Sequence, residues 1–158
     1  MADLRVLIAG AGGRMGGANI RAVTGAAGLV LHSALDRGGA PAIGKDAGTL
    51  AGIDPVGVLV TDDVEAALEG ADVILDFTAP AASVALAARS GALGLVHVIG
   101  TPGCSEEDEA SFRRAAEAGA RLVKAGNFSL GVNLLLGLVH KAAAALGPDY
   151  DIEILEMH

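Results

Sequence analysis

A glycine-rich turn set directly between an apolar run and a helix-forming stretch restricts this chain more than any other feature. Residues 4–9 (LRVLIA) read as a short buried strand, and Gly10-Ala11-Gly12-Gly13-Arg14-Met15-Gly16 follows at once, opening a helix over 14–23. A chain that passes from strand to helix in so few residues needs backbone freedom at Gly10. Glycine at Gly12 or Gly13 lets the main chain approach a pyrophosphate without an intervening Cβ, and Gly16 lets the helix pack closely on the sheet. The spacing is G-x-x-G-x-x-G, at Gly10, Gly13 and Gly16, because Met15 stands where the dinucleotide fingerprint would have its third glycine. The free N–H groups at the helix start suit an anion.

The rest of the chain repeats the alternation. Strands are expected over 29–35, 58–60, 71–77, 94–99, 121–124 and 151–155, with a Gly- and Pro-rich loop over 38–57. Helices are expected over 61–68 (N-cap Thr61 or Asp62), 81–90, 105–118 (a capping box from Ser105 to Asp108) and 129–145. Strands separated by helices imply an α/β fold: a doubly wound, mostly parallel Rossmann-type sheet with helices on both faces.

In such sheets ligands bind outside the carboxyl ends of the strands. Asp36 ends the second strand about 20 residues after Gly16, where a carboxylate accepts hydrogen bonds from a ribose. The neighbouring Arg37 suits a 2′-phosphate, so NADH and NADPH both stay open as cofactors. Three further strand ends carry small or polar groups: Asp76-Phe77-Thr78, Gly100-Thr101-Pro102-Gly103 and Ala125-Gly126-Asn127-Phe128-Ser129. Their loops are expected to converge where a nicotinamide would lie, with Asn127 orienting the cofactor or supporting its loop.

Composition removes other classes. Hydrophobic residues make up 52% of the 158, which argues against disorder, and the formal net charge of −8 disfavours nucleic acid. The longest uncharged run, 125–140, would span ~24 Å as a helix, short of the ~30 Å hydrocarbon core. No membrane association is therefore expected. The single Cys104 has no disulfide partner within the chain, and a reducing cytoplasm is the simplest compartment. His32, His97 and His140 read as structural. No His or Cys spacing suggests a metal, and there is no nucleophile elbow for hydrolysis.

Taken in order, VLIAGAGGRMG, Asp76-Phe77-Thr78, Gly100-Thr101-x-Gly103, Asn127-Phe128-Ser129-Leu130-Gly131-Val132-Asn133 and the closing DIEILEMH resemble the 4-hydroxy-tetrahydrodipicolinate (dihydrodipicolinate) reductases of the diaminopimelate route to lysine. The resemblance implies NADH- or NADPH-dependent reduction of a cyclic imine dicarboxylate in the bacterial cytoplasm. It assigns Gly10, Ala11, Gly12, Gly13, Arg14 and Met15 to the pyrophosphate, and Asp36 and Arg37 to the adenosine ribose. Phe77, Gly100, Thr101, Pro102, Ala125, Gly126, Asn127 and Phe128 fall to the rest of the cofactor site, and His158 to proton transfer, for which imidazole is apt near neutral pH. Pro102 departs from the family's second Thr, since proline offers neither hydroxyl nor N–H. The family continues past His158 into a domain that grips the substrate carboxylates and forms tetramers. Residues 1–150 are thus expected to be the dinucleotide-binding domain and 151–158 the start of the hinge. An NAD(H)-sensing module without catalysis, and another small-substrate dehydrogenase on the same fold, are the alternatives.

Overall fold

The computed structural model describes residues 2–155 and 157. They divide into two compact units after Gly126. The first holds six strands, β1 (Leu4–Ala9), β2 (Leu29–Leu35), β3 (Val60–Thr61), β4 (Val73–Asp76), β5 (Val96–Ile99) and β6 (Arg121–Lys124). Between them run α1 (Arg14–Gly25), α2 (Ala47–Leu50), α3 (Val64–Leu68), α4 (Pro80–Leu93) and α5 (Glu106–Glu117). The strands form one sheet in the order β3-β2-β1-β4-β5-β6, every pair parallel. The order reverses at β1 and β4, and that reversal opens a crevice at the carboxyl ends of these two strands.

Both faces of the sheet are covered because β1 is apolar on both sides. Val6 and Ile8 pack with Ile20 and Val23 of α1, while Leu7 and Ala9 pack with Ala67 and Leu68 of α3 and Leu86 of α4. Successive side chains of a strand point to opposite faces, so an uninterrupted apolar run supplies two cores at once. A third cluster joins Ile99 of β5 to Phe112 and Ala115 of α5 and Ala87 of α4. At the amino end of the sheet Arg5 donates from Nε and Nη2 to the Asp72 carboxylate at 3.1 and 3.0 Å. Its main-chain N–H adds a third bond at 2.8 Å, tying β1 to the start of β4.

Several expectations need correction. The 38–57 segment is not a plain loop. Asp46 accepts from the N–H groups of Thr49, Val56 and Gly57 and so caps the short α2 and closes the loop behind it. The third strand is displaced to Val60–Thr61, since Leu59 is spent on an antiparallel bridge to Asp46. The cap of α3 is Asp63, whose carboxylate accepts from Ala66 N–H, rather than Thr61 or Asp62. The Thr61 hydroxyl instead accepts from Asp63 N–H. The capping box of α5 is formed as expected.

The second unit is α6 (Leu130–Leu146) and the chain that follows it. Asn127 and Ser129 build its start. The Ser129 hydroxyl caps the helix, and Asn133 Nδ2 donates to the carbonyls of Asn127 and Ser129, each at 2.9 Å. The strand expected over 151–155 does not form. Its alternating pattern fits a pleat, but a strand is held by a ladder, and no partner pairs with these residues among those described.

Candidate cofactor-binding site

The switch between β1 and β4 opens onto a cavity of about 720 Å³. Gly10, Gly12 and Gly13 form one wall, Asp36 and Arg37 a second, and Phe77 and Thr78 a third. Gly10 sits at φ +74°, a left-handed conformation that a side chain would resist. A Cβ on Gly16 would run into the Gly10 carbonyl and Ala11, so the turn and the helix behind it fit only without side chains there.

Gly12 has a more specific role. A Cβ there would lie 2.6 Å from Ala42 Cβ and 2.7 Å from Asp36 Oδ2. Its N–H donates to Asp36 Oδ2 at 2.8 Å, and Arg37 N–H donates to Oδ1 at 2.8 Å. Asp36 is thereby fixed by two main-chain donors. Each of its oxygens keeps a second lone pair for a ligand hydroxyl.

The start of α1 is left for an anion. Its N-cap is Gly13, no side chain caps it, and no acidic residue stands in its first turn. By contrast α5 carries a capping box and four acids in its first turn, and α2, α3 and α6 are each capped by a side chain; α4 is uncapped as well, but it starts on Pro80, which brings no N–H. Orphan N–H groups at a helix start need a partner, and the positive end of the helix dipole favours a negative one. The glycine turn, the uncapped amides and the immobilised carboxylate together fit a nucleoside diphosphate joined to a second nucleoside.

The structure brings Gly10, Gly12, Gly13, Asp36, Arg37 and Phe77 to this one cavity. Ala11 is buried beneath it, and Arg14 and Met15 begin α1. Gly100 lies against the Phe77 ring, where any side chain would collide. Thr101 is buried, with its hydroxyl accepting from Thr78 N–H at 3.1 Å. Pro102 follows it, and Ala125 and Gly126 continue from β6, with Ala125 N–H donating to the Ile99 carbonyl. Asn127 and Phe128 open the second unit. His158 lies outside the described residues.

Sequence reasoning missed Lys45, Pro41, Leu50, Asp62 and Ala82, all of which border the cavity. Lys45 is the one basic residue of the 38–57 segment, which was the available signal. The segment's glycines point to a loop, and the Asp46 carboxylate that organises it draws on partners as far along the chain as Gly57, which no local pattern reveals. Among the described residues no three His, Cys, Asp or Glu side chains are placed to hold a metal, and no helix is long and apolar enough to cross a membrane.

Comparison with known proteins agrees with this geometry. Residues 4–128 match the family model described as dihydrodipicolinate reductase, N-terminus. The chain is 54% identical over 157 residues to a 4-hydroxy-tetrahydrodipicolinate reductase of Sinorhizobium fredii, covering 99% of this chain and 57% of that protein. It is 53% identical over 154 residues to the enzyme of that name from Brucella abortus, again 57% of the relative's length. Among solved structures it resembles a dipicolinate-bound dihydrodipicolinate reductase from Paenisporosarcina sp. TG-14, with TM-score 0.72, 25% identity, and coverage of 90% of this chain and 54% of that one. It also resembles GenD2 of gentamicin A biosynthesis in complex with NAD, with TM-score 0.64, 27% identity, and coverage of 81% and 36%. The chain spans a little over half the length of the reductases it matches. It belongs to the dihydrodipicolinate reductase family and corresponds to that family's N-terminal part.

Proposed function

We propose that this chain supplies the NADH or NADPH site of a 4-hydroxy-tetrahydrodipicolinate reductase in lysine and diaminopimelate biosynthesis. The observation that carries the reading is the uncapped start of α1 beside Asp36 at the switch point of the sheet. When bound, a reduced nicotinamide supplies the hydride. The chain's own residues hold and orient it. The amides of the α1 start take the diphosphate, and Gly12 keeps that approach open. Asp36, held by two main-chain donors, accepts from ribose hydroxyls, and Arg37 with Lys45 offers positive charge to a 2′-phosphate. Phe77 walls the cavity beyond the glycine turn.

The resemblance to the family supports the remaining assignments of the proposal. Thr101, Pro102, Ala125, Gly126, Asn127 and Phe128 complete the cofactor site, and His158 transfers the proton. The substrate is a cyclic imine dicarboxylate, and the full-length protein works as a cytoplasmic homotetramer. Two measurements test the reading. The 158-residue chain should bind NADH or NADPH and turn over little substrate. A longer form that includes the residues the relatives carry should oxidise NADPH when given 4-hydroxy-tetrahydrodipicolinate. A longer form that binds nucleotide but ignores that substrate would refute the assignment.

A further inference from the structure

A buried polar cluster lies under the Phe77 wall of the cavity. Asp76 ends β4 and His97 sits in β5, and both are wholly buried. Asp76 Oδ2 accepts from His97 Nε2 at 3.0 Å. Asp76 Oδ1 accepts from Thr78 N–H at 3.0 Å, from the Thr78 hydroxyl at 2.5 Å and from the Thr101 hydroxyl at 3.5 Å. Thr101 Oγ1 also accepts from Thr78 N–H at 3.1 Å and shares a 2.7 Å hydrogen bond with Ser83 Oγ of α4. One carboxylate therefore ties together the ends of two strands and, through Ser83, a helix. Burial pushes this carboxyl up, but the hydrogen bonds it accepts, from His97 and Thr78 foremost, outweigh it and hold it below the usual range.

An apolar side chain would fill the same space without desolvating a charge. What a carboxylate adds is direction, because each bond fixes the orientation of its donor. The donors here belong to Thr78, whose methyl packs against the Gly10 turn, and to Thr101, which follows the glycine that backs the Phe77 ring. We propose that Asp76 is a positioning residue for the nicotinamide end of the cofactor, setting the 77–78 and 100–101 loops against each other through Thr78, Thr101 and Ser83. The proposal rests on the dinucleotide reading above. The adenosine end is anchored chiefly by the α1 amides and Asp36, which share no hydrogen bond with this cluster, so a loss there should reach ADP-ribose only through the Thr78 contact with the Gly10 turn.

The test compares NADH with ADP-ribose, which lacks the nicotinamide, by calorimetry on the 158-residue chain, with thermal melting alongside. Asp76→Asn removes an acceptor and the charge. It should weaken NADH about tenfold or more and leave ADP-ribose within about threefold. Ser83→Ala, away from the cavity lining, should also weaken NADH more than ADP-ribose, by a smaller factor, and it keeps the test decisive if Asp76→Asn fails to fold. Equal losses for both ligands would reduce the cluster to a structural role and overturn the proposal. Unchanged NADH binding in either folded variant would overturn it as well. A parent chain that takes up neither ligand would refute the dinucleotide reading, and the proposal with it. A parent that binds both, with variants that do not discriminate, would refute the proposal alone.

Discussion

At the scale of single residues, Gly12 is the most exacting position in the site. It has room for no side chain on either flank, and its N–H is one of the two that hold Asp36. Gly12→Ala should push the carboxylate or Ala42 aside at a cost of about 1–3 kcal/mol, and weaken either nucleotide by roughly tenfold or more. Calorimetry and a melting curve on the same sample check both effects. Arg37 and Lys45 give a separate prediction. Both border the cavity that Asp36 lines, and Lys45 forms no ion pair among the described residues. Alanine at either position should weaken NADPH more than NADH, with the gap narrowing as salt rises. Equal losses for the two nucleotides would mean that neither cation meets the 2′-phosphate.

At the scale of elements, the sheet was legible where the chain speaks for itself and not where it depends on distant partners. The apolar run of β1, the 121–124 strand and the Ser105–Asp108 box are local signals, and each forms as expected. The 151–155 strand and the 38–57 loop failed for the same reason in opposite directions. A pleat pattern makes no strand without a ladder, and a glycine-rich loop acquires a helix when one carboxylate, Asp46, gathers three N–H donors. The cavity lining divides likewise: spacing places Gly10 and Asp36 at it, with Arg37 next in the chain, whereas no local pattern points to Lys45, whose segment is folded around the Asp46 carboxylate. Two tests belong to this scale. Ser105→Ala should cost about 1 kcal/mol and lower the melting temperature by roughly 2–4 °C, with nucleotide affinity unchanged. The Arg5 hydrogen bonds hold the Asp72 carboxyl down, at about 2. A carboxyl lowered in the folded state stabilises above its unfolded pKa of about 4, and that contribution fades as pH falls toward the folded value. Melting temperatures followed from about pH 5 down to about pH 2 should therefore fall less steeply in Asp72→Asn than in the parent.

At the scale of the molecule, all three buried apolar clusters lie within the first unit, and no residue of α6 is buried. A chain ending at Gly126 should thus keep a single cooperative melt and still bind ADP-ribose, since the glycine turn, Asp36 and the cavity lining all precede that point. Loss of the cooperative melt would show that the first unit's core is not sufficient. Within that first unit, the uncapped start of α1 and the Asp36 carboxylate held by two main-chain donors are arranged as a cradle for a dinucleotide. Titration of the 158-residue chain with NADH and NADPH tests this most directly. Saturable one-to-one binding of at least one of them, weakened by Gly12→Ala, is expected. A folded chain that gives no saturable signal with either nucleotide at millimolar concentration would contradict it.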